Sequence, residues 1–279
     1  MRITVLIENT SDGKLACEHG LSLWIRYGSS QILLDAGSTD AFLMNAAAMG
    51  IDLKQVDAAV LSHAHYDHSG GFSAFCNYNH HARIYLQKSS KEACYSLYQG
   101  KKRYLGIPET VLKECEDRFC YVEGELELCK GVWLLPHTAE GLSERGVKAH
   151  MFRKTRHGFT ADDFSHEQSL VLETPRGLVL CSSCSHGGID TIVKEVKKRF
   201  SGRKVCTVIG GFHLMTPGGI STLAYTPEEV TALGHTLFQE GVEEIYTGHC
   251  TGEPAFTILK EYWPERVHYL RTGSVLEWD

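Results

Sequence analysis

With 279 residues, 43% of them hydrophobic and 22% charged, the chain can bury a large core, and its composition excludes a disordered or fibrous protein. No apolar run approaches membrane-spanning length, and a formal net charge of −6 leaves no overall basic footprint for nucleic acid, so a small molecule is the expected partner. The ten cysteines are expected as reduced thiols in the cytoplasm, because residues 1–8 carry no export signal and a chain this long needs no disulfide staples.

In chain order, short strands are expected at residues 2–8, 21–27, 31–35 and 58–62, rich in Ile, Leu and Val and bounded by glycine or polar turns. A helix over 39–49 interrupts them, with Ser38 or Thr39 as N-cap and Gly50 just past its end. After a further strand at 83–87, the segment 89–119 is broken by Gly100 and by Gly106-Ile107-Pro108 and reads as a small helical cap inserted into the domain. The second half repeats this logic, with strands at 126–135, 169–173, 178–182, 205–209 and 244–247 and helices at 189–200, 227–240 and 254–262. Pro227 and Pro254 suit first-turn positions, and Thr174-Pro175-Arg176-Gly177 suits a hairpin turn. The expectation is one α/β domain over 1–279, two packed mixed sheets with helices outside.

The chemistry concentrates where the fourth strand ends. Val60-Leu61-Ser62 leads into His63-Ala64-His65-Tyr66-Asp67-His68, followed by Gly70-Gly71, which allow a tight backbone path into a helix. Residues i and i+2 of an extended segment project to one side, so His63 and His65 can bind one metal ion. Asp67 and His68 follow the turn and can address a second. Imidazole and carboxylate donors suit Zn, and also Fe or Mn. A purely structural metal site would more often be closed and cysteine-rich. The other histidines are weighed individually, and His19, His80, His81, His137, His157, His235 and His268 are expected to be ordinary surface or core residues. The spacing Cys181-x-x-Cys184 stands without a second such pair and reads as bland.

The loop resembles the signature of the metallo-β-lactamase superfamily, and Leu33-Leu34-Asp35-Ala36-Gly37 is similar to its first motif. Cys184-Ser185-His186-Gly187-Gly188-Ile189, Gly210-Gly211-Phe212-His213-Leu214 and Gly248-His249-Cys250-Thr251-Gly252 resemble the branch named for 7,8-dihydropterin-6-methyl-4-(β-D-ribofuranosyl)-aminobenzene-5′-phosphate synthase. The resemblance implies the αββα sandwich of that superfamily. It also implies two divalent metal ions, one held by His63, His65 and His186 and the other by Asp67, His68 and His249. Asp35 is implied as a supporting hydrogen-bond partner. The bridging aspartate usual in the superfamily is not evident. His186 and His249 each follow an expected strand, which agrees with the implied ligand set. His213 sits at a comparable strand end, as a ligand, as an acid/base facing substrate or as an ordinary core histidine.

Two metal ions can activate a water and stabilise negative charge on a carbonyl or phosphoryl oxygen, with Asp67 orienting the attacking group. Hydrolysis of an ester, lactone or phosphoester is the simplest reaction. The branch implies an alternative, a synthase in which pyrophosphate departs as a carbon–nitrogen bond forms at a pterin methylene. A third reading is a non-catalytic binding protein that keeps metal for stability, which a turnover screen of metal-reconstituted protein would separate from an enzyme. Gly100-Lys101-Lys102-Arg103-Tyr104-Leu105-Gly106 is either a solvated charge run or a substrate-binding element. In the second case Arg103, with Lys102, grips a phosphate and Tyr104 stacks on an aromatic or pterin-like ring.

Overall fold

The computed structural model describes residues 1–278, which form two compact units. The first comprises residues 1–123, 141–167 and 271–278; the second comprises Gly124–Glu140 and Gln168–Leu270.

In the first unit a seven-stranded sheet runs in the order Val275–Glu277, Arg2–Ile7, Ser22–Tyr27, Ser30–Leu34, Ala58–Val60, Arg83–Gln87, Phe119–Val122. Its first four strands pair antiparallel and the rest parallel. Parallel neighbours need a crossover, which Ala41–Ala48 supplies before the strand Ala58–Val60 and Phe72–Tyr78 after it. Phe42, Ala46, Phe72 and Phe75 bury their side chains in one core with Leu33, Ala59 and Ile84 of the sheet. The register Leu34↔Val60 aligns the carboxyl ends of two parallel strands, the place where open α/β sheets present functional loops. The expected cap over Ala41–Ala48 differs in detail. The N-cap position is Asp40, whose side chain makes no cap bond; Thr39 Oγ1 accepts from the Ala41 amide at 3.2 Å, and the Glu18 carboxylate accepts from the Ser38 and Thr39 amides and from the Thr39 hydroxyl.

The expected helical cap is mainly β structure. Ala93–Tyr98 and Lys101–Tyr104 form a hairpin, and Met151–Thr155 and Gly158–Ala161 complete a four-stranded antiparallel sheet. Glu109–Glu114 is the α-helix of the 89–119 segment. The physical reason is twofold. Gln99 (φ 50°) and Gly100 (φ 71°) both adopt left-handed backbone, the requirement of a two-residue hairpin turn. The register Met151↔Ser96 draws the other stabilising strand from far along the chain, beyond any local pattern.

The second unit repeats the design. Its order is Val267–Tyr269, Glu244–Thr247, Val205–Gly210, Gly177–Cys181, Gln168–Thr174, Val132–Pro136, Leu126–Cys129, again part antiparallel and part parallel. Ile189–Arg199, Pro227–Gln239 and Glu253–Tyr262 pack on it, burying Val193, Val196, Leu237 and Leu259 with Val205, Val208 and Ile245. Pro227 and Pro254 occupy first-turn positions, and Thr226 with Glu229 forms a reciprocal capping box. The 174–177 turn is a hairpin, closed by Thr174 Oγ1 donating to Gly177 O at 2.8 Å.

Gly234 lets two of these helices approach. A β-carbon there would lie 2.2 Å from the Trp263 ring, which His235 and Phe238 flank at centroid distances of 4.9 Å. Alanine normally stabilises a helix relative to glycine by about 1 kcal/mol. Here overpacking reverses the sign, so Gly234→Ala is expected to destabilise the protein by about 1–3 kcal/mol. Chemical denaturation of parent and variant checks this; a gain in stability would mean that Trp263 can move aside.

Candidate metal centre

Leaving the strand Ala58–Val60, the chain passes through Leu61 and Ser62 to His63-Ala64-His65, with His65 still extended (φ −108°, ψ 149°) before the helical turn Tyr66–Ser69. Gly70 and Gly71 have ordinary helical torsions, so their role is space. A β-carbon on Gly70 would lie 2.1 Å from Ser38 O, and one on Gly71 2.1 Å from Ala36 O. The two glycines therefore seat the histidine loop against the segment that carries Asp35.

Asp35 is fully buried and held at φ 61°. Its Oδ1 accepts from the Ser62 amide at 2.7 Å, and its Oδ2 accepts from Ser62 Oγ at 2.7 Å and lies 2.8 Å from His68 Nδ1. An ionised carboxylate only accepts, so His68 carries a proton on Nδ1, and the neutral ring then has its lone pair on Nε2. Ser62 Oγ spends its one proton on Asp35 and lies 2.8 Å from His63 Nδ1, so it accepts from that nitrogen and fixes the same tautomer in His63. One carboxylate thus sets the donor atoms of two histidines. The His63 ring centroid lies 4.6 Å from that of His65 and 4.2 Å from that of His68. Burial, with His166 nearby, pushes His65 down to about 3, so it too is a neutral imidazole, the metal-binding form.

The fit to a cation follows from this donor set. Asp67 Oδ2 lies 3.5 Å from His68 Nε2, which presents a lone pair to a carboxylate oxygen. Two acceptors this close in a buried site call for positive charge between them, which a bound cation or a second proton on His68 would supply. His19 Nε2 also lies 3.3 Å from Asp67 Oδ2, so His19 belongs to this neighbourhood, contrary to the expectation that it is an ordinary residue.

The second unit gathers the other sequence candidates among themselves. His186 follows Gly177–Cys181 and precedes Ile189–Arg199; His213 follows Val205–Gly210; His249 follows Glu244–Thr247. The His186 and His213 ring centroids are 4.3 Å apart. The strand-end segments are tightly stacked: a β-carbon on Gly210 would lie 2.0 Å from Ser182 O, and one on Gly211 2.4 Å from Cys250 Sγ. Ser185 Oγ donates to Gly211 O at 2.8 Å, and the His213 amide faces Cys250 Sγ at 3.3 Å. Ligand atoms of Cys184, His249 and Cys250 lie within 4.8 Å of one another. Burial opposes ionisation of Cys250, yet the Cys184 thiol, His249 and His213 pull its pKa well below the usual thiol value. Ser185, His213 and His249 have φ of 52°, 50° and 49°, and such conformations cost about 1–3 kcal/mol each in non-glycine residues. Asp35 shares this conformation; so do Gln99, His150 and Phe164, which lie outside the candidate ligand set.

The charged hairpin is split by strand alternation. Arg103 Nη2 donates to Tyr66 OH at 2.9 Å and its guanidinium carbon lies 5.3 Å from the Tyr66 ring centroid. With Tyr66, Tyr104, Gly106, Pro108, Glu109 and Leu112, it lines a cleft of about 600 Å³. Lys102 points elsewhere, its Nζ over the rings of Phe159 (4.8 Å) and Tyr95 (5.3 Å), so the expected pairing of Lys102 with Arg103 is not formed. Tyr104 OH donates to Ile107 O at 2.6 Å.

His166 is a further buried histidine beside the loop. It is fully buried, its Nδ1 accepts from the Ala64 amide at 3.1 Å, and its Nε2 lies 3.1 Å from Asp162 Oδ2. Nothing in its local sequence distinguishes it from the histidines expected to be ordinary. Of those, His137 is buried between Ser169 Oγ (3.0 Å) and Glu195 Oε2 (3.3 Å), within the second unit.

The family model of the metallo-β-lactamase superfamily matches residues 16–158. A Methanocaldococcus jannaschii protein named 7,8-dihydropterin-6-methyl-4-(β-D-ribofuranosyl)-aminobenzene-5′-phosphate synthase is 27% identical over 273 residues, covering 93% of this chain and 90% of its own. Among solved structures, Tm1679, described as a metal-dependent hydrolase of the β-lactamase superfamily, is 31% identical with a TM-score of 0.83, covering 100% of this chain and 99% of that one. Zn²⁺-bound PqqB from Methylobacterium extorquens shares the fold at 10% identity and a TM-score of 0.60, over the full length of both chains.

Proposed function

We propose, from the premise that this chain belongs to the metallo-β-lactamase superfamily and has its α/β fold, that it is a metal-dependent hydrolase of ester-, lactone- or phosphoester-type small molecules. The observation that carries the reading is the Asp35-fixed pair of histidine tautomers, with His68 Nε2 facing Asp67 Oδ2 at 3.5 Å. In this reading His63, His65 and His186 hold one divalent cation, and Asp67, His68 and His249 hold the other. Zn fits these donors, as do Fe and Mn. When bound, the cations supply Lewis acidity, lowering the pKa of water and stabilising oxyanion charge. Asp67 orients the attacking water, and His213 moves a proton at the leaving group. Arg103, braced on Tyr66 of the loop itself, binds an anionic group of the substrate, and Tyr104 contributes ring surface beside it. The same reading places the enzyme in the cytoplasm with a small-molecule substrate; among the described residues no helix is long and apolar enough to cross a membrane.

Turnover of phosphoesters and lactones by protein reloaded with each metal tests the proposal; protein fully loaded and inert on all of them would sink it. The M. jannaschii relative, aligned over 93% of this chain, favours the synthase reaction as a second reading. Product analysis separates the two, since a hydrolase incorporates solvent oxygen and a synthase joins two substrates.

Two outcomes refine the roles. His213→Ala is expected to lower turnover by about 10²–10⁴-fold, the usual range for a general acid/base, with metal content unchanged. Parallel loss of metal would make His213 a ligand. Arg103→Ala is expected to raise KM for phosphorylated substrates while sparing neutral esters, because the lost contact is remote from the reacting bond. Equal kinetics on both substrate classes would return Arg103 to the status of a surface residue.

A further inference from the structure

The β-sheet cap contributes a buried polar assembly that ends on the histidine loop. Ala64, between His63 and His65, is fully buried, and its amide donates to His166 Nδ1 at 3.1 Å. A nitrogen accepting an N–H must hold a lone pair, so His166 carries its proton on Nε2, where Asp162 Oδ2 accepts it at 3.1 Å. Asp162 is fully buried and anchored in turn: its Oδ1 accepts from the Phe164 amide at 2.8 Å and lies 3.3 Å from Arg153 Nε. Arg153, on the strand Met151–Thr155, also reaches Glu92 Oε2 and Asp163 Oδ2, each at 2.6 Å.

Ligand atoms of His65, Cys94, Asp162 and His166 lie within 4.8 Å of one another, so a separate metal site is the rival explanation. The Ala64 amide argues against it. With Nδ1 accepting, the proton on Nε2 removes the nitrogen that would have to ligate.

We infer that His166 and Asp162 are a positioning pair for the metal-binding loop: His166 Nδ1 holds the peptide between His63 and His65 and thereby sets the spacing of their rings, with Asp162 and Arg153 bracing His166 from the cap. The inference rests on the metal reading for its consequence but not for its geometry. Holding a donor histidine through its surroundings typically changes metal affinity by about 10–100-fold.

The side chains of asparagine and glutamine separate the two hydrogen bonds. Asparagine places an oxygen near the position of Nδ1 and keeps the Ala64 bond; glutamine places an amide near Nε2 and keeps only the Asp162 bond. In the metal-free full-length chain, hydrogen exchange at the Ala64 amide is expected to stay slow in His166→Asn and to accelerate at least tenfold in His166→Gln. After metal loading, chelator competition is expected to show His166→Asn within threefold of the parent and His166→Gln weaker by tenfold or more. A merely structural role predicts that affinity tracks thermal stability in both variants, and that result would overturn the proposal, as would Ala64 exchange equal in the two. Cys94→Ser is expected to leave metal stoichiometry unchanged; loss of one equivalent would establish the rival site instead. If the parent binds no metal, the functional reading fails, while the exchange arm still decides the positioning.

Discussion

Replacing His68 with alanine is expected to remove one of two bound cations and to lower turnover by at least about 10²–10³-fold, the size of losing one preorganised transition-state contact. His68 Nε2 is the lone-pair donor opposite Asp67, and the ring is fully buried, so no solvent-exposed group can take its place. His249→Ala is expected to empty the same position, whereas His63→Ala should empty the other. Elemental analysis beside kinetics checks this. Metal content undisturbed by His68→Ala and His249→Ala would break the ligand assignment.

The second large effect belongs to a residue that binds no metal in this account. In Asp35→Asn the carboxamide oxygen can still accept from the Ser62 amide, but its NH₂ replaces the oxygen that faces Ser62 Oγ and His68 Nδ1. Donating to both, it frees the Ser62 hydroxyl proton for His63 Nδ1 and moves the protons of His63 and His68 onto Nε2, the atoms that would ligate. Asparagine also tolerates the left-handed backbone found at φ 61°. The expected result is a folded protein whose metal affinity falls by about 10–100-fold, the range for altered support of a ligand. Asp35→Ala is expected to be worse in a different way. It leaves two Ser62 donors and the His68 N–H buried without acceptors, at about 1–3 kcal/mol each, and lowers thermal stability as well. Asp35→Asn with parental metal affinity would show that the tautomer argument is wrong.

Much of this was legible in the sequence, for identifiable reasons. Strands such as Arg2–Ile7 and Val205–Gly210 are short apolar runs with sharp boundaries, and the local chemistry of Pro227 and Thr174-Pro175-Arg176-Gly177 sets a helix start and a hairpin. The histidine loop was legible because four donor residues sit within six positions at the end of a strand. The β structure of the cap was not legible because its sheet depends on Met151↔Ser96 pairing across the chain and on a positive φ at Gln99, a residue that carries no turn signal of its own. His166 escaped because its partner Ala64 lies 102 residues away and contributes only a backbone amide. His19 escaped similarly, its contact with Asp67 arising from the fold of the chain rather than from spacing. Lys102 and Arg103 looked alike in a charge run, yet strand alternation sends one to the aromatic face of the cap and the other to Tyr66.

The account stands most directly on metal content coupled to catalysis. The full chain, stripped by chelation and titrated back with zinc, iron or manganese, should take up two equivalents per chain, with turnover absent in the stripped protein and rising as the second equivalent binds. Hydrolysis undiminished in protein that retains less than a tenth of an equivalent of any metal would contradict it.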